Sequence, residues 1–204
     1  MSAPSVAKRV GVFGGAFDPP HLGHVALAQT ALKQLQLDCL HVVPTGQAWH
    51  KDRPLTAAAD RVAMARLAFA GLAPVLVDER EIMRTGASYT VDTLQELARE
   101  YPQGELFLIL GQDQARVLST WQRWSDILRL ATICVASRPD SIAASQLLDP
   151  KVGPQAKSVQ LEMPRLDVSA TEIRRLLAQH CSVAPLVAEP VARYIETHHL
   201  YQTA

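Results

Sequence analysis

Apolar positions along the chain form short uninterrupted runs, and longer stretches of helical spacing lie between them. Val10–Phe13 is one such run and ends in Gly14-Gly15, which predicts a buried strand entering a turn. After Pro19-Pro20, residues Leu22, Val25, Ala26, Ala28, Leu32 and Leu35 recur near the helical period, which predicts a helix over Leu22–Leu37. Leu40–Val43 reads as a second strand closed by Pro44-Thr45-Gly46, Ala57–Ala70 as an Ala-rich helix ended by Gly71, and Val75–Val77 as a third strand. Ser88–Thr93 leads into a helix through Ala98, and Leu106–Leu110 is a buried strand followed by Gly111-Gln112-Asp113. Ala131–Ala136 is a further strand and Val159–Leu161 a weaker one. Ser169 and Glu172 have capping-box spacing: Ser169 should accept from the backbone three residues on, and Glu172 should reach back. Glu189-Pro190 opens a last helix, with proline in the tolerated first turn.

Strands alternating with helices predict an α/β fold, a doubly wound and mainly parallel sheet with right-handed crossovers. A small helical portion follows from about residue 169, and the whole of 1–204 is expected to form one domain. Ligands of such sheets bind outside the carboxyl ends of the strands. The segments after Phe13, Val43, Leu110 and Ala136 should therefore open onto one crevice. Asp140–Lys157, with its Ser, Gln, Asp, Pro and Gly, is the best candidate for a mobile loop.

Composition narrows the partners. The 204 residues are 48% hydrophobic, and 20 Lys+Arg balance 20 Asp+Glu. That apolar content supports a sizeable core and excludes an acidic disordered chain. Zero net charge argues against a broad basic surface, so no nucleic-acid partner is expected. The longest apolar run, Leu130–Ala136, is broken by Thr132 and falls far short of the ~18–20 residues of a membrane span, so no membrane partner is expected either. Met1–Arg9 lacks the apolar stretch of a signal peptide, and Cys39, Cys134 and Cys181 form no Cys-x-x-Cys pair. Cys134 lies in an apolar strand and should pack in the core. A cytoplasmic location is expected, and oligomeric state is not readable.

The chemistry concentrates in Gly14–His24, which reads Gly-Gly-Ala-Phe-Asp-Pro-Pro-His-Leu-Gly-His. Two glycines after a strand permit unusual backbone angles and let a ligand approach bare N–H groups. His21 and His24, three apart at a helix start, point to one side of the first turn. A helix N-terminus attracts anions, and two imidazole donors beside it suit a polyphosphate on which charge develops. An isolated His-x-x-His more often caps and packs; the flanking glycines and Phe-Asp-Pro-Pro favour the phosphate site. No third ligand cluster supports zinc, and neither Gly-x-Gly-x-x-Gly nor a Walker Gly-Lys-Ser/Thr occurs.

Gly14–His24 resembles the Gly-x-Phe-Asp-Pro-x-His-x-Gly-His signature of the nucleotidylyltransferase superfamily, and Ser169–Arg174 resembles its second motif, Ser-x-Thr-x-x-Arg at a late helix start. Three further segments are similar to one member family, bacterial nicotinate-nucleotide adenylyltransferase: Pro44–Lys51, Ser88–Leu94, and Gly111–Asp113 with Trp121. The motifs occur in that family's order over nearly the whole chain.

The resemblance implies a Rossmann-like fold and transfer of the adenylyl group of ATP to nicotinate mononucleotide, giving deamido-NAD and pyrophosphate. It implies that His21 and His24 hold the α-phosphate, that Gly14, Gly15, Ala16 and Phe17 line the nucleotide, and that Ser169, Thr171 and Arg174 bind the β- and γ-phosphates. Gly111, Asp113 and Arg138 would complete the ATP side. His50 and Lys51 would meet the acceptor phosphate, Trp121 would stack on the pyridine, and Asp113 would bind ribose hydroxyls. The amides at Tyr89 and Thr90 would receive the nicotinate carboxylate. Mg²⁺ would arrive on the ATP phosphates, with no protein metal ligands. Two departures stand out: Ala16 replaces a frequent Thr or Ser, and Gln122 a second aromatic in some relatives. A phosphopantetheine-type transferase is disfavoured by the Trp121, Ser88–Thr90 and His50-Lys51 segments. A class I aminoacyl-tRNA synthetase fragment would be expected to carry a Lys-Met-Ser-Lys-Ser-like loop and extra RNA-binding domains, neither of which is seen in the sequence, and a sensor without catalysis would have lost His21, His24 or Arg174.

Overall fold

The computed structural model describes residues 7–47, 54–137, 148, 150–152, 156–163 and 166–202. Six strands form one all-parallel sheet: β1 (Arg9–Gly15), β2 (Cys39–Pro44), β3 (Val75–Val77), β4 (Glu105–Leu110), β5 (Ala131–Ser137) and β6 (Ser158–Glu162). Their spatial order is β3-β2-β1-β4-β5-β6, the Rossmann-like doubly wound arrangement. The chain leaves β1 toward β2 on one side and later returns to place β4 on the other. The boundary between β1 and β4 is thus the point where the winding reverses.

Helices among the described residues are α1 (Leu22–Leu35), α2 (Ala58–Phe69), α3 (Arg80–Met83), α4 (Thr90–Glu100), α5 (Gln112–Arg116), α6 (Trp124–Leu130), α7 (Ala170–Ala178) and α8 (Glu189–Thr197). The short ones, α3, α5 and α6, are not anticipated from the sequence pattern. Strand residues alternate between two cores. Phe107 and Ile109 of β4 join Phe13, Leu27, Met64, Ile173 and Ile195, beneath α1, α2, α7 and α8. Leu106, Leu108 and Leu110 join Val12, Leu94 and Ile127, beneath α4 and α6. A sheet covered on both faces needs apolar side chains at every position, so its strands read as continuous runs. Cys134 is fully buried, as expected, and burial pushes its thiol up to about 12.

Local expectations change at the two glycines and at the capping box. The first strand runs on through both glycines, since Gly14 pairs with Val43 and Gly15 with Pro44. Neither glycine has positive φ; the left-handed conformation belongs to Phe17, at φ 48°. That geometry costs a non-glycine residue about 1–2 kcal/mol. Burying the ring, which is 1% exposed, returns about 2–3 kcal/mol, so packing wins. Only half of the capping box forms: Ser169 Oγ accepts from Glu172 N at 3.2 Å, whereas the Glu172 carboxylate pairs with Arg175 at 2.6 Å. Most of 140–157, the candidate mobile loop, lies outside the described residues; the described part includes a 3₁₀ turn at Pro150–Val152, with Leu148 and Val152 buried against the second core. No helix among the described residues is long and apolar enough to cross a membrane.

Candidate active site

The carboxyl ends of β1, β2, β4 and β5 open onto one cleft of about 860 Å³, lined by Gly14, Thr45, Gly111 and Ser137 among others. This is the crevice expected from the alternation, at the β1/β4 reversal. A Cβ built on Gly14 or on Gly111 would meet nothing within 4 Å. Both backbones therefore lie bare to a ligand, as expected for Gly14.

His21 caps α1 with extended backbone, and His24 lies three residues on. Their rings stack with centroids 3.7 Å apart, so the spacing does place them on one side. His24 Nδ1 accepts from His21 N at 3.1 Å. An accepting Nδ1 leaves the neutral ring's proton on Nε2, as a donor. The His24 ring is wedged against Phe17, 5.2 Å between centroids in an edge contact. Burial depresses His21 to about 4, so it is neutral at physiological pH. Its Nδ1 is buried with no hydrogen-bond partner among the described residues, and a proton on Nε2 avoids burying an unpaired N–H there. The pair thus presents uncharged Nε2–H donors at a helix N-terminus.

Arg174 belongs to the second turn of α7, counted from the Ser169 cap. It crosses to the first motif: Nη1 donates to Asp18 O at 2.7 Å and Nη2 to Thr171 Oγ1 at 3.1 Å. Ser169 and Arg174 line the cleft; Thr171 is exposed, does not line it, and accepts from Arg174. The two motifs from opposite ends of the sequence meet here.

On the other side, Tyr89 caps α4 and Thr90 opens it, and both line the cleft with Asp113, Trp121 and Gln122. Trp121 is half-buried and faces the cleft, whereas Trp124 packs against the second core without lining it. Ala16 and Phe17 also line the cleft. His50, Lys51 and Arg138 lie outside the described residues.

Several groups at the site carry no local sequence signal. Glu81, 7% exposed, lines the cleft and takes a 2.8 Å bond from Thr93 Oγ1. Burial raises its carboxyl above the usual range against the lowering bonds of Thr93 and Gly46 N. Arg61, 2% exposed, donates to Ala16 O at 3.0 Å from behind the loop. Asp18 sits inside the motif, yet its role appears only in the fold: its carboxylate, 2% exposed, accepts from Tyr201 Oη at 2.7 Å.

Comparison with known proteins agrees with this architecture. A cytidylyltransferase-like family model matches residues 12–176. A probable nicotinate-nucleotide adenylyltransferase of Albidiferax ferrireducens is 58% identical over 197 residues, spanning 97% of this chain and 100% of its own. Another, from Pseudomonas syringae pv. tomato, is 41% identical over 212 residues, spanning 97% and 96%. Among solved structures, Plasmodium falciparum nicotinic acid mononucleotide adenylyltransferase complexed with NaAD superposes with TM-score 0.77 at 19% identity, covering 95% of this chain and 97% of that one, and shares its fold. The chain belongs to the nicotinate-nucleotide adenylyltransferase family of cytidylyltransferase-like nucleotidyltransferases.

Proposed function

We propose that the protein transfers the adenylyl group of ATP to nicotinate mononucleotide, releasing pyrophosphate and forming deamido-NAD for NAD biosynthesis. The observation that carries this reading is the stacked His21–His24 pair at the start of α1, in one cleft with Arg174. An oxygen of the acceptor phosphate attacks the α-phosphorus in line, a P–O bond forms, and the bond to the β-phosphate breaks. No covalent enzyme intermediate is needed, because positioning and charge stabilisation suffice.

His21 and His24 donate from Nε2 to the α-phosphate oxygens as charge builds there, which neutral imidazoles do without repelling Mg²⁺. Gly14, Gly15, Ala16 and Phe17 line the nucleotide, with Gly111, Asp113 and Arg138 on its ATP side. Ser169, Thr171 and Arg174 hold the β- and γ-phosphates. Trp121 stacks on the pyridine, His50 and Lys51 meet the acceptor phosphate, and Asp113 accepts from ribose hydroxyls. The first-turn amides of α4 at Tyr89 and Thr90 receive the nicotinate carboxylate, which favours the acid over the amide.

The donor set beside the histidines is rich in N–H groups, and no cluster of three His, Cys, Asp or Glu occurs among the described residues. That chemistry fits Mg²⁺ entering on the ATP phosphates and water rather than on protein ligands. When bound, the ion offsets phosphate charge; the chain's residues orient the phosphates. The assay is ATP, Mg²⁺ and nicotinate mononucleotide with purified protein. Stoichiometric pyrophosphate and deamido-NAD are expected, and turnover confined to phosphopantetheine or nicotinamide mononucleotide would contradict the reading.

A further inference from the structure

Arg174 is held by the loop it serves, and that loop is held by the far end of the chain. Asp18 joins the two. Its main-chain oxygen accepts from Arg174 Nη1 at 2.7 Å, while its buried carboxylate accepts from Tyr201 Oη at 2.7 Å. The other carboxylate oxygen lies 3.5 Å from Thr56 N. Arg61, almost fully buried, donates to Thr56 O at 2.9 Å and to Ala16 O at 3.0 Å, closing the frame from behind. Burial first, and then the Asp18 charge, hold the Tyr201 phenol far above its ordinary range, so it remains a proton donor at any working pH.

We propose that Tyr201 is a positioning residue: through Asp18 it fixes the carbonyl on which Arg174 rests, and so aims the Arg174 guanidinium at the phosphates of ATP. A guanidinium has several low-energy orientations on its long stem, and its order must come from the groups it bonds. One of those, Asp18 O, sits on a residue whose side chain is pinned by Tyr201. Without that bond the buried Asp18 carboxylate keeps the Thr56 amide but loses the hydroxyl donor that fixes its other oxygen. The least costly relief is a turn of Asp18, which carries its carbonyl, and Arg174, away.

This inference rests on the phosphate-binding role given to Arg174, and not on the identity of the acceptor. Its test is a double-mutant cycle on the full-length protein, reading the affinity for α,β-methylene-ATP with Mg²⁺ by calorimetry. Tyr201→Phe keeps the ring and removes only the hydroxyl. It is expected to weaken binding about fivefold, on the scale of one ordinary hydrogen bond. In the Arg174→Ala background the same change should have no further effect. Unchanged affinity in Tyr201→Phe would overturn the proposal. So would an equal loss with and without Arg174, because a merely structural role adds independently. A wild type that binds the analogue but makes no deamido-NAD contradicts the acceptor reading alone, and the cycle still decides this one.

Discussion

At the residue scale, the site depends on side chains whose freedom has been removed by packing. His24 is fixed at one nitrogen by the His21 amide, on its face by the stacked His21 ring and by the edge contact with Phe17, so its other nitrogen can act only as a donor in one direction. His24→Ala should lower kcat at least ~100-fold, the scale of a lost transition-state donor, with little change in KM for either substrate. A turnover number within threefold of wild type would refute the role. Gly46 illustrates a different constraint, because a Cβ there would lie 2.0 Å from the main-chain oxygen of Glu81. Backbone cannot swing aside as a side chain can. Gly46→Ala should cost about 2–3 kcal/mol in urea unfolding and distort the Thr45 end of the cleft, whereas a loss below ~0.5 kcal/mol would show that the contact relaxes freely. The donor residues were legible because they sit within the sequence window of their motif. Arg61 and Tyr201 were not, since their bonds span 45 and 183 positions and neither neighbourhood shows a pattern.

At the element scale, the long elements follow from apolar spacing, and the missed ones are those with almost nothing to bury. Val75–Val77 is as predicted, and α1 ends two residues earlier than its pattern suggests. By contrast, α5 buries only Ala115 and α6 only Ile127, so neither offers a period to read. The buried residue of α3 is Glu81, which a hydrophobic pattern counts as surface. The packing of elements also sets a pH dependence. His41 of β2 bonds Asp78 beyond β3 at 2.8 Å and Tyr101 at the end of α4 at 3.0 Å. Burial alone would lower its pKa, but the bond and charge of Asp78, with the neighbouring Cys39, raise it to about 9. A raised pKa contributes stability that is complete below 6.5 and lost as pH rises through 9. His21, depressed to about 4, works oppositely: the unfolded chain binds the proton first, so stability falls as pH drops from 6.5 to 4. Between pH 6.5 and 9, His41→Asn should abolish a loss on the order of 2 kcal/mol that wild type suffers in urea unfolding. Equal losses in both proteins would contradict the assignment.

At the scale of the molecule, the proposed reaction requires a chain with no net charge to hold polyanions by convergence rather than by bulk field. The winding reversal opens a crevice between β1 and β4, and the two helix starts proposed to carry phosphate donors are brought there from opposite ends of the sequence. The order of the motifs showed that they belong together, and the alternation of elements showed where a crevice must lie. What tied them, the Arg174–Asp18 bond across 156 positions, is a product of the closed fold. The proposed acceptor side is the less constrained half, assigned to Trp121 and the start of α4, and the central claim is sharpest there. The measurement is a competition: ATP and Mg²⁺ with equal concentrations of nicotinate mononucleotide, nicotinamide mononucleotide and phosphopantetheine, with products separated and weighed by mass spectrometry. Deamido-NAD should exceed every other adenylylated product by at least ~10-fold, the scale of one charged contact made or missed. A mixture dominated by NAD or dephospho-coenzyme A would contradict the account.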